Sequence, residues 1–360
     1  MAKAAKIRLT QAFDSHAQNI NETFQMLDQT DGGSLKKVEW SEVIKLGDEV
    51  SKQATIAGML WSADTLNVGE VEQNMGVYCN ILQGFLLNCV ASMVGAGPTL
   101  SSNIRASAKQ VTDSSMTFFR GAISSYESRK GERKLVIPRL SGSVWEACAA
   151  LKKTPSSNYT AVGRAITQVA VSIKDVIREM KELKMDSTLD HSAEGTDKFA
   201  DVSNQPNEDD GLNMDELGTD LSPEEMTVAQ STISVISDAL LVIKELIRFI
   251  SGLARQPNMS ESVDSLERLL GICQGIGGDV DELGASVYPP QELSLMKTTG
   301  AKISSRIERI RTEVAMLPGS PEGLYQVCDC LDCSLRKFET LLGQLNTGLE
   351  DKIEGLSIRV

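Results

Sequence analysis

Residues 186–225 read DSTLDHSAEGTDKFADVSNQPNEDDGLNMDELGTDLSPEE, and this stretch decides how the rest of the chain is organised. It holds eight Asp, five Glu and a single base, Lys198, which gives it a formal charge of -12. The whole chain of 360 residues carries -13, so the sequence on either side of the stretch is nearly neutral. No apolar residue recurs at regular spacing within it, and such a composition buries too little surface to offset the entropy of ordering the backbone. We therefore predict a disordered, acidic linker.

The linker separates two segments of ordinary domain size. We predict an N-terminal helical bundle at residues 1–185, an acidic flexible linker at 186–222 and a C-terminal helical bundle at 223–360. Aromatic residues make up only 4% of the chain, so its apolar side chains are mainly Leu, Ile, Val, Ala and Met. This composition favours helices over sheets. The predicted fold class is all-α, with two antiparallel helical bundles.

Apolar residues at helical spacing, with prolines between them, predict about ten helices. Ser222-Pro223-Glu224-Glu225 has the residues of an N-cap, a first-turn proline and a capping box, so a helix is expected to begin there. Pro138 is expected to begin a short fifth helix, and Pro290 the ninth. Gly275, Gly277 and Gly278 are expected to weaken or bend the eighth. The clearest stripe lies in the last helix, at Leu324, Cys328, Leu331, Leu335, Phe338, Leu342, Leu345 and Leu349.

Two stretches admit a second interpretation. Residues 73–104 contain no charged side chain, which is compatible with a membrane span but also with a helix in the middle of a bundle. Asn80, Gln83 and Asn88 favour the bundle, because a span would place them at membrane depth. In the last helix, leucines 335, 342, 349 and 356 recur every seventh residue, as in a leucine zipper. Three apolar residues per heptad fit an intramolecular bundle better.

The sequence offers little for catalysis or for binding a metal. The two histidines are His16, beside an apolar helix face, and His191, within the acidic linker. Cys328 and Cys330 would point about 160° apart on a continuous helix, and no second cysteine pair has the spacing of a zinc site. We predict no enzyme and no catalytic, cofactor-binding or metal-binding residues. A pI near 4.8 also argues against a nucleic-acid-binding surface.

Several short patterns are typical of protein interactions or regulation. A basic loop from Arg129 to Arg139 is predicted as a nuclear-import patch, a docking surface for acidic partners or a solvated turn. Within it, residues 133–135 (Arg-Lys-Leu) resemble a short cyclin-docking element, and residues 266–270 match an LxxLL pattern. Proline follows Thr154, Ser222 and Ser320, which makes each a candidate for proline-directed phosphorylation, although the two serines also fit helix N-caps.

Three segments carry a resemblance to a known family. They are residues 50–55 (VSKQAT), 143–148 (SVWEAC) and 286–290 (SVYPP), with the acidic linker between the second and the third. In this order they resemble the cyclin-D-binding, GCIP-like proteins. The resemblance implies a two-part, all-helical regulator of nucleus and cytoplasm that binds D-type cyclins and helix-loop-helix transcription factors. It implies no catalytic residue.

The predicted function is therefore a non-enzymatic regulator that binds D-type cyclins, helix-loop-helix factors or both, and restrains cell-cycle progression or transcription. The alternative is a helical scaffold of the talin or vinculin kind that links to the cytoskeleton. The first residues lack the apolar core of a signal peptide, so a cytoplasmic and nuclear location is expected. Neither direct nucleic-acid contact nor a membrane partner is predicted, and the sequence leaves the oligomeric state open.

Overall fold

A computed structural model describes residues 2–28, 36–127, 130–183, 221–255 and 262–357. Ten α-helices run through these ranges, in agreement with the predicted number. The all-α fold class is confirmed. Apart from residues 221 and 222, the predicted linker lies outside the described residues. The helices are α1 (Ala2–Gln25), α2 (Trp40–Ser62), α3 (Val68–Ser92), α4 (Pro98–Ser124), α5 (Lys130–Ala150), α6 (Asn158–Met180), α7 (Pro223–Leu253), α8 (Val263–Ser286), α9 (Leu293–Ala315) and α10 (Glu322–Ser357).

The chain forms two compact units. Unit 1 contains Met1–Val162 and Met259–Glu267, and unit 2 contains Gly163–Asn258 and Arg268–Val360. The boundary between the units falls near the start of α6. The predicted bundle bounds, 1–185 and 223–360, stay a prediction. Within unit 2, α6 and α8 approach closely, because a β-carbon at Gly284 would come within 2.7 Å of Val176 on α6. This close approach groups α6 with α8.

Unit 1 is built on helices α1 to α5, which bury their apolar faces. On α2, apolar residues recur at helical spacing and all lie in the core: Trp40, Val43, Val50, Ala54, Ala57 and Trp61. Aromatic rings lie in the core of unit 1, where Tyr78 and Phe119 pack edge to face with ring centroids 4.9 Å apart. The Tyr78 hydroxyl lies 2.8 Å from the Ser115 hydroxyl, which satisfies both polar groups inside the core.

The uncharged run from residue 73 to 104 is divided between α3 and α4, with a turn in between. α3 packs against α1, α2 and α4, and it buries Met75, Tyr78, Leu82 and other residues in the core of unit 1. Among the described residues, α3 is also the one helix whose length and hydropathy satisfy a membrane-span criterion. A buried core helix satisfies the same criterion.

The prediction that Pro138 begins the fifth helix is wrong. α5 starts at Lys130 and continues through Pro138, so the predicted basic loop forms its first turns, while Arg129 lies outside the described residues. Proline inside a helix removes one backbone hydrogen bond. Burial of Ile137 and Val144 on either side holds the helix together in spite of this loss.

Unit 2 contains α7, α9, α10 and most of α6 and α8. The predicted start of α7 is confirmed: the Glu225 backbone N–H donates to the Ser222 hydroxyl at 3.2 Å, and the Ser222 N–H donates to the Glu225 carboxylate at 2.9 Å. On α10, Leu335 and Leu342 are buried and the helix packs on α7 and α9, as expected for an intramolecular bundle. Side chains from residue 348 onward, which include the other two zipper leucines, lie outside the described set.

Two further predictions for unit 2 need correction. α8 continues as one helix through the glycines at positions 275, 277 and 278. α9 begins at Leu293 rather than at Pro290, and the two prolines lie in the preceding turn. The Gln291 side chain stabilises that turn, since its amide donates to the carbonyls of Val287, at 2.7 Å, and of Glu225, at 3.1 Å.

Candidate protein-interaction surfaces

The side chains first considered for metal binding do not converge. Cys328 is buried, whereas Cys330 and Cys333 are exposed on the same helix. No cluster of three or more His, Cys, Asp or Glu side chains suited to a metal ion occurs among the described residues. His16 is half-buried next to Gly76, and His191 lies outside the described ranges.

Burial controls the chemistry of most thiols. It raises the pKa of Cys79, Cys148 and Cys273 to about 12, because a thiolate would lose its hydration in the core. Burial also raises the pKa of Cys328, to about 11, although the Arg311 guanidinium acts in the opposite direction. Since the thiolate is the reactive form, these four side chains are inert in the folded protein.

The LxxLL pattern is part of the core rather than a docking motif. Leu266, Leu269 and Leu270 are all buried. Glu267, between them, caps α4 within unit 1: its carboxylate accepts from the Thr99 backbone N–H at 2.9 Å and from the Thr99 hydroxyl at 2.7 Å. Gly97 allows this approach, because a β-carbon there would come within 2.8 Å of the carboxylate. The residues of the LxxLL pattern therefore make contacts within the fold and are not available to a partner.

The Arg-Lys-Leu element lies in the first turns of α5. Residues two positions apart on a helix point about 160° apart, so Arg133 and Leu135 do not share a face. Arg133 is half-buried, whereas Leu135 is 79% exposed. Residues 133–135 are therefore helical and do not form an extended peptide. Leu135 is nevertheless exposed to solvent, together with other residues of α5.

The three candidate phosphorylation sites differ in accessibility. Ser320 is exposed and its hydroxyl bonds to Glu322 at the start of α10. Thr154 is half-buried, 2.7 Å from the Ser107 hydroxyl, and the Ser222 hydroxyl serves as the N-cap of α7. The N-cap interpretation of Ser222 is confirmed, and modification of all three sites stays a prediction.

An exposed apolar surface lies where α2 packs against α5 in unit 1. We call it the α2–α5 face and define it by Thr55 and Met59 of α2 with Leu135, Pro138 and Trp145 of α5. The indole Nε1 of Trp145 donates to the Thr55 hydroxyl at 3.1 Å, although 43% of the Trp145 side chain is exposed. The hydrogen bond fixes one edge of the ring and leaves a face open to solvent. Apolar periodicity does not identify this surface, because its residues lie outside the core stripes.

A different groove, with a volume of about 540 Å³, lies between α1 and α4. Ile20 and Met116 contribute to its lining, together with polar side chains that include Asn21 and Lys109. Lys109 is paired with Asp113 at 2.6 Å. Mixed lining of this kind lacks the contiguous apolar character of the α2–α5 face.

In unit 2, a row of polar contacts joins the antiparallel helices α8 and α9. The Arg268 guanidinium contacts Glu313 at 2.7 Å, and farther along the pair Lys302 and Thr299 contact Glu282 at 2.8 and 2.6 Å. The hydrogen bonds from Lys302 and Thr299 lower the pKa of the Glu282 carboxyl below its ordinary value. The row therefore links α8 to α9 within the bundle.

The fold and these surfaces define an all-helical protein of two compact units with an exposed apolar face, a feature common among proteins that bind other proteins. Comparison with known families then identifies it. Residues 42–186 match the domain described as "Grap2 and cyclin-D-interacting, N-terminal", and residues 207–312 match the corresponding C-terminal domain. The chain belongs to this cyclin-D-interacting (GCIP) family, which confirms the resemblance found in the sequence.

Two curated relatives carry the name Cyclin-D1-binding protein 1 homolog. The one from Xenopus laevis is 25% identical over 214 residues, which cover 59% of this chain and 60% of the relative. The one from Danio rerio is 21% identical over 276 residues, 75% of each protein. The first match thus spans less than two thirds of its relative's length.

Proposed function

We propose that this protein is a non-enzymatic regulator that binds D-type cyclins, helix-loop-helix transcription factors or both, and thereby restrains cell-cycle progression or transcription. The observation that carries the proposal is family membership, since the chain matches both domains described as cyclin-D-interacting. The names of the two relatives agree with a cyclin partner. Helix-loop-helix partners are inferred from the sequence resemblance.

The mechanism we favour is competitive sequestration. A helical surface of this protein occupies a dimerisation or docking groove of the partner and prevents its other associations. Such a mechanism needs exposed apolar side chains on a folded helix, and the α2–α5 face supplies them in the form of Met59 and Leu135. The proposed sites of action are the cytoplasm and the nucleus.

Co-precipitation of the purified full-length chain with a D-type cyclin and with a helix-loop-helix factor from the same organism tests the proposal. We expect retention of at least one of them, and no retention of a cyclin from another class. Failure with both partners would contradict the proposed function. Live imaging of a fluorescent fusion tests the location, for which we expect signal in both compartments.

A further inference from the structure

The α2–α5 face has a fixed geometry. The hydrogen bond between Trp145 and Thr55 sets the register of the two antiparallel helices at one end. One turn away, a β-carbon at Gly58 would come within 2.6 Å of the Ser141 hydroxyl, so the backbones approach closely there. Met59 follows Gly58 directly and therefore lies at the level of Ser141. The small side chains at this contact, Gly58 and Ser141, allow the two helices to pack closely.

Two large apolar side chains on these helices are poorly covered. Met59 is 70% exposed and Leu135 is 79% exposed. Among the described residues, only Met316 has comparable exposure for a large apolar side chain. A partly exposed tryptophan that is already oriented, with methionine and leucine around it, has the composition of an interaction hot spot. Ordering Trp145 in the free protein lowers the entropy lost on binding.

The charges around the face are arranged asymmetrically along α5. Two bases lie near Leu135: Lys134, which is 3.3 Å from Asp64, and the exposed Arg139. Near Trp145 stands the exposed Glu146. The first ten residues of α5, 130–139, contain four bases and a single acid. The end of the face at Leu135 is therefore basic, and the end at Trp145 is not.

Pro138 adds a further polar feature at the basic end. It has no backbone N–H, so the carbonyl of Lys134 receives no hydrogen bond from the position four residues later. This carbonyl therefore lacks the regular helical hydrogen bond.

We propose that the α2–α5 face is the surface through which this protein docks a D-type cyclin, and that it binds an amphipathic helix whose apolar stripe lies on Met59, Leu135 and Trp145 and whose acidic end lies near Arg139. This inference rests on the proposed function, since that function supplies the partner. The apolar contacts supply affinity, and the asymmetric charge sets the direction of the bound helix.

The test measures the affinity of full-length variants for a purified D-type cyclin by titration calorimetry. Met59→Ser and Leu135→Ser remove the apolar contacts. Their matched controls are Met316→Ser, at a side chain 72% exposed, and Leu241→Ser, at one 47% exposed, both in unit 2. We expect each variant on the face to weaken binding by about tenfold or more, as at hot spots, while the controls bind like the wild type.

A charge pair tests the orientation. We expect Arg139→Glu to weaken cyclin binding by about fivefold, and the affinity of this variant should vary less with salt concentration than that of the wild type. Glu146→Lys should leave the cyclin affinity unchanged or raise it. All these residues are exposed, so circular dichroism and thermal melting should match the wild type.

The outcomes separate the two proposals. If the wild-type chain does not bind the cyclin, the proposed function fails and this inference fails with it. If the wild type binds but Met59→Ser and Leu135→Ser bind equally well, only the assignment of the face is overturned. If the two variants instead abolish self-association of the wild-type chain and leave cyclin affinity unchanged, the face belongs to a second copy, which also overturns the inference.

Discussion

The guanidinium of Arg306 occupies the space above Gly275, where a β-carbon would lie 2.1 Å from Arg306 Nη1. From this position Arg306 Nε donates to the carboxylate of Asp279 at 2.6 Å. Asp279 is buried, with only 6% of its surface exposed. Arg306 can reach Asp279 because residue 275 of α8 has no side chain. Gly275 therefore leaves room for an ion pair between α8 and α9.

We predict that Gly275→Ala destabilises unit 2. Alanine gains about 1 kcal/mol in helix propensity, but displacing Arg306 leaves a buried carboxylate unpaired at a cost of about 1–3 kcal/mol. The expected net loss in the free energy of unfolding is about 1 kcal/mol, measured by urea denaturation.

Gly278→Ala is the matched control, since no atom lies within 4 Å of its β-carbon position, and it should stabilise the protein. In an Asp279→Asn background, Gly275→Ala should lose most of its cost. Equal stabilisation by both alanines in the wild-type background would contradict the assignment.

Glu267→Ala should destabilise unit 1 through α4. The Thr99 N–H is one of the first-turn donors that have no partner within the helix, and Glu267 accepts from it. We expect a loss of about 1–2 kcal/mol in the free energy of unfolding, and a smaller loss for Glu267→Gln, which keeps one acceptor. The control Glu49→Ala removes an exposed pair with Lys52, 3.0 Å long, and should change stability by about 0.5 kcal/mol or less. An effect of Glu267→Ala no larger than that of the control would show that the cap is dispensable.

The capping box of α7 gives a third prediction. Ser222→Ala removes the acceptor for the Glu225 N–H and should lower stability by about 1 kcal/mol, as seen in thermal unfolding. Ser222→Asn retains an N-cap acceptor and should stay close to the wild type. Identical melting of the two variants would mean that the hydroxyl does not stabilise the helix.

Thiol reactivity should divide the seven cysteines into two groups. Cys330 and Cys333 are exposed and should react quickly with a thiol reagent in the native protein. The other five are buried and should react only on unfolding, since burial raises the pKa of thiols such as Cys79 and Cys273 to about 12. A Cys330→Ser/Cys333→Ser double variant should lose the fast phase. A third fast-reacting thiol in the wild-type protein would contradict the buried core of one of the units.

Acidification should weaken the row of contacts between α8 and α9. Hydrogen bonds from Lys302 and Thr299 lower the pKa of Glu282 relative to an ordinary carboxyl near 4.5. A lowered pKa in the folded state means that the contribution to stability is present above that value and is lost as the pH falls through the folded-state pKa. Glu282→Gln should therefore flatten the acid side of the stability profile. An unchanged profile would show that the carboxylate contributes nothing.

The helices of this protein were predictable where a periodic apolar stripe faces the core. The stripe from Trp40 to Trp61 shows this, because amphipathic spacing alone identifies the buried side of α2. The capping residues Ser222 and Glu225 were equally readable, since the contact is local. Local rules failed at Pro138, where the lost hydrogen bond is outweighed by burial of neighbouring residues such as Ile137.

The α2–α5 face could not be predicted from apolar periodicity, for a different reason. Met59 and Leu135 lie on separate helices and outside the core stripes, so only the packing of α2 against α5 brings them to one surface. Gly275 presents the same difficulty: its role depends on Arg306, which is 31 positions later in the sequence. In both cases the role of a residue depends on a contact with a residue of another helix, which the local sequence does not reveal.

All three tryptophans of the chain lie in unit 1, at positions 40, 61 and 145. Trp40 and Trp61 are buried, whereas Trp145 is open to solvent on the α2–α5 face. Intrinsic fluorescence excited at the indole band therefore reports on unit 1 alone, and a soluble quencher reaches Trp145 before the other two. A bound partner that covers this indole shields it from the quencher, so the protein carries its own optical reporter for docking at this face.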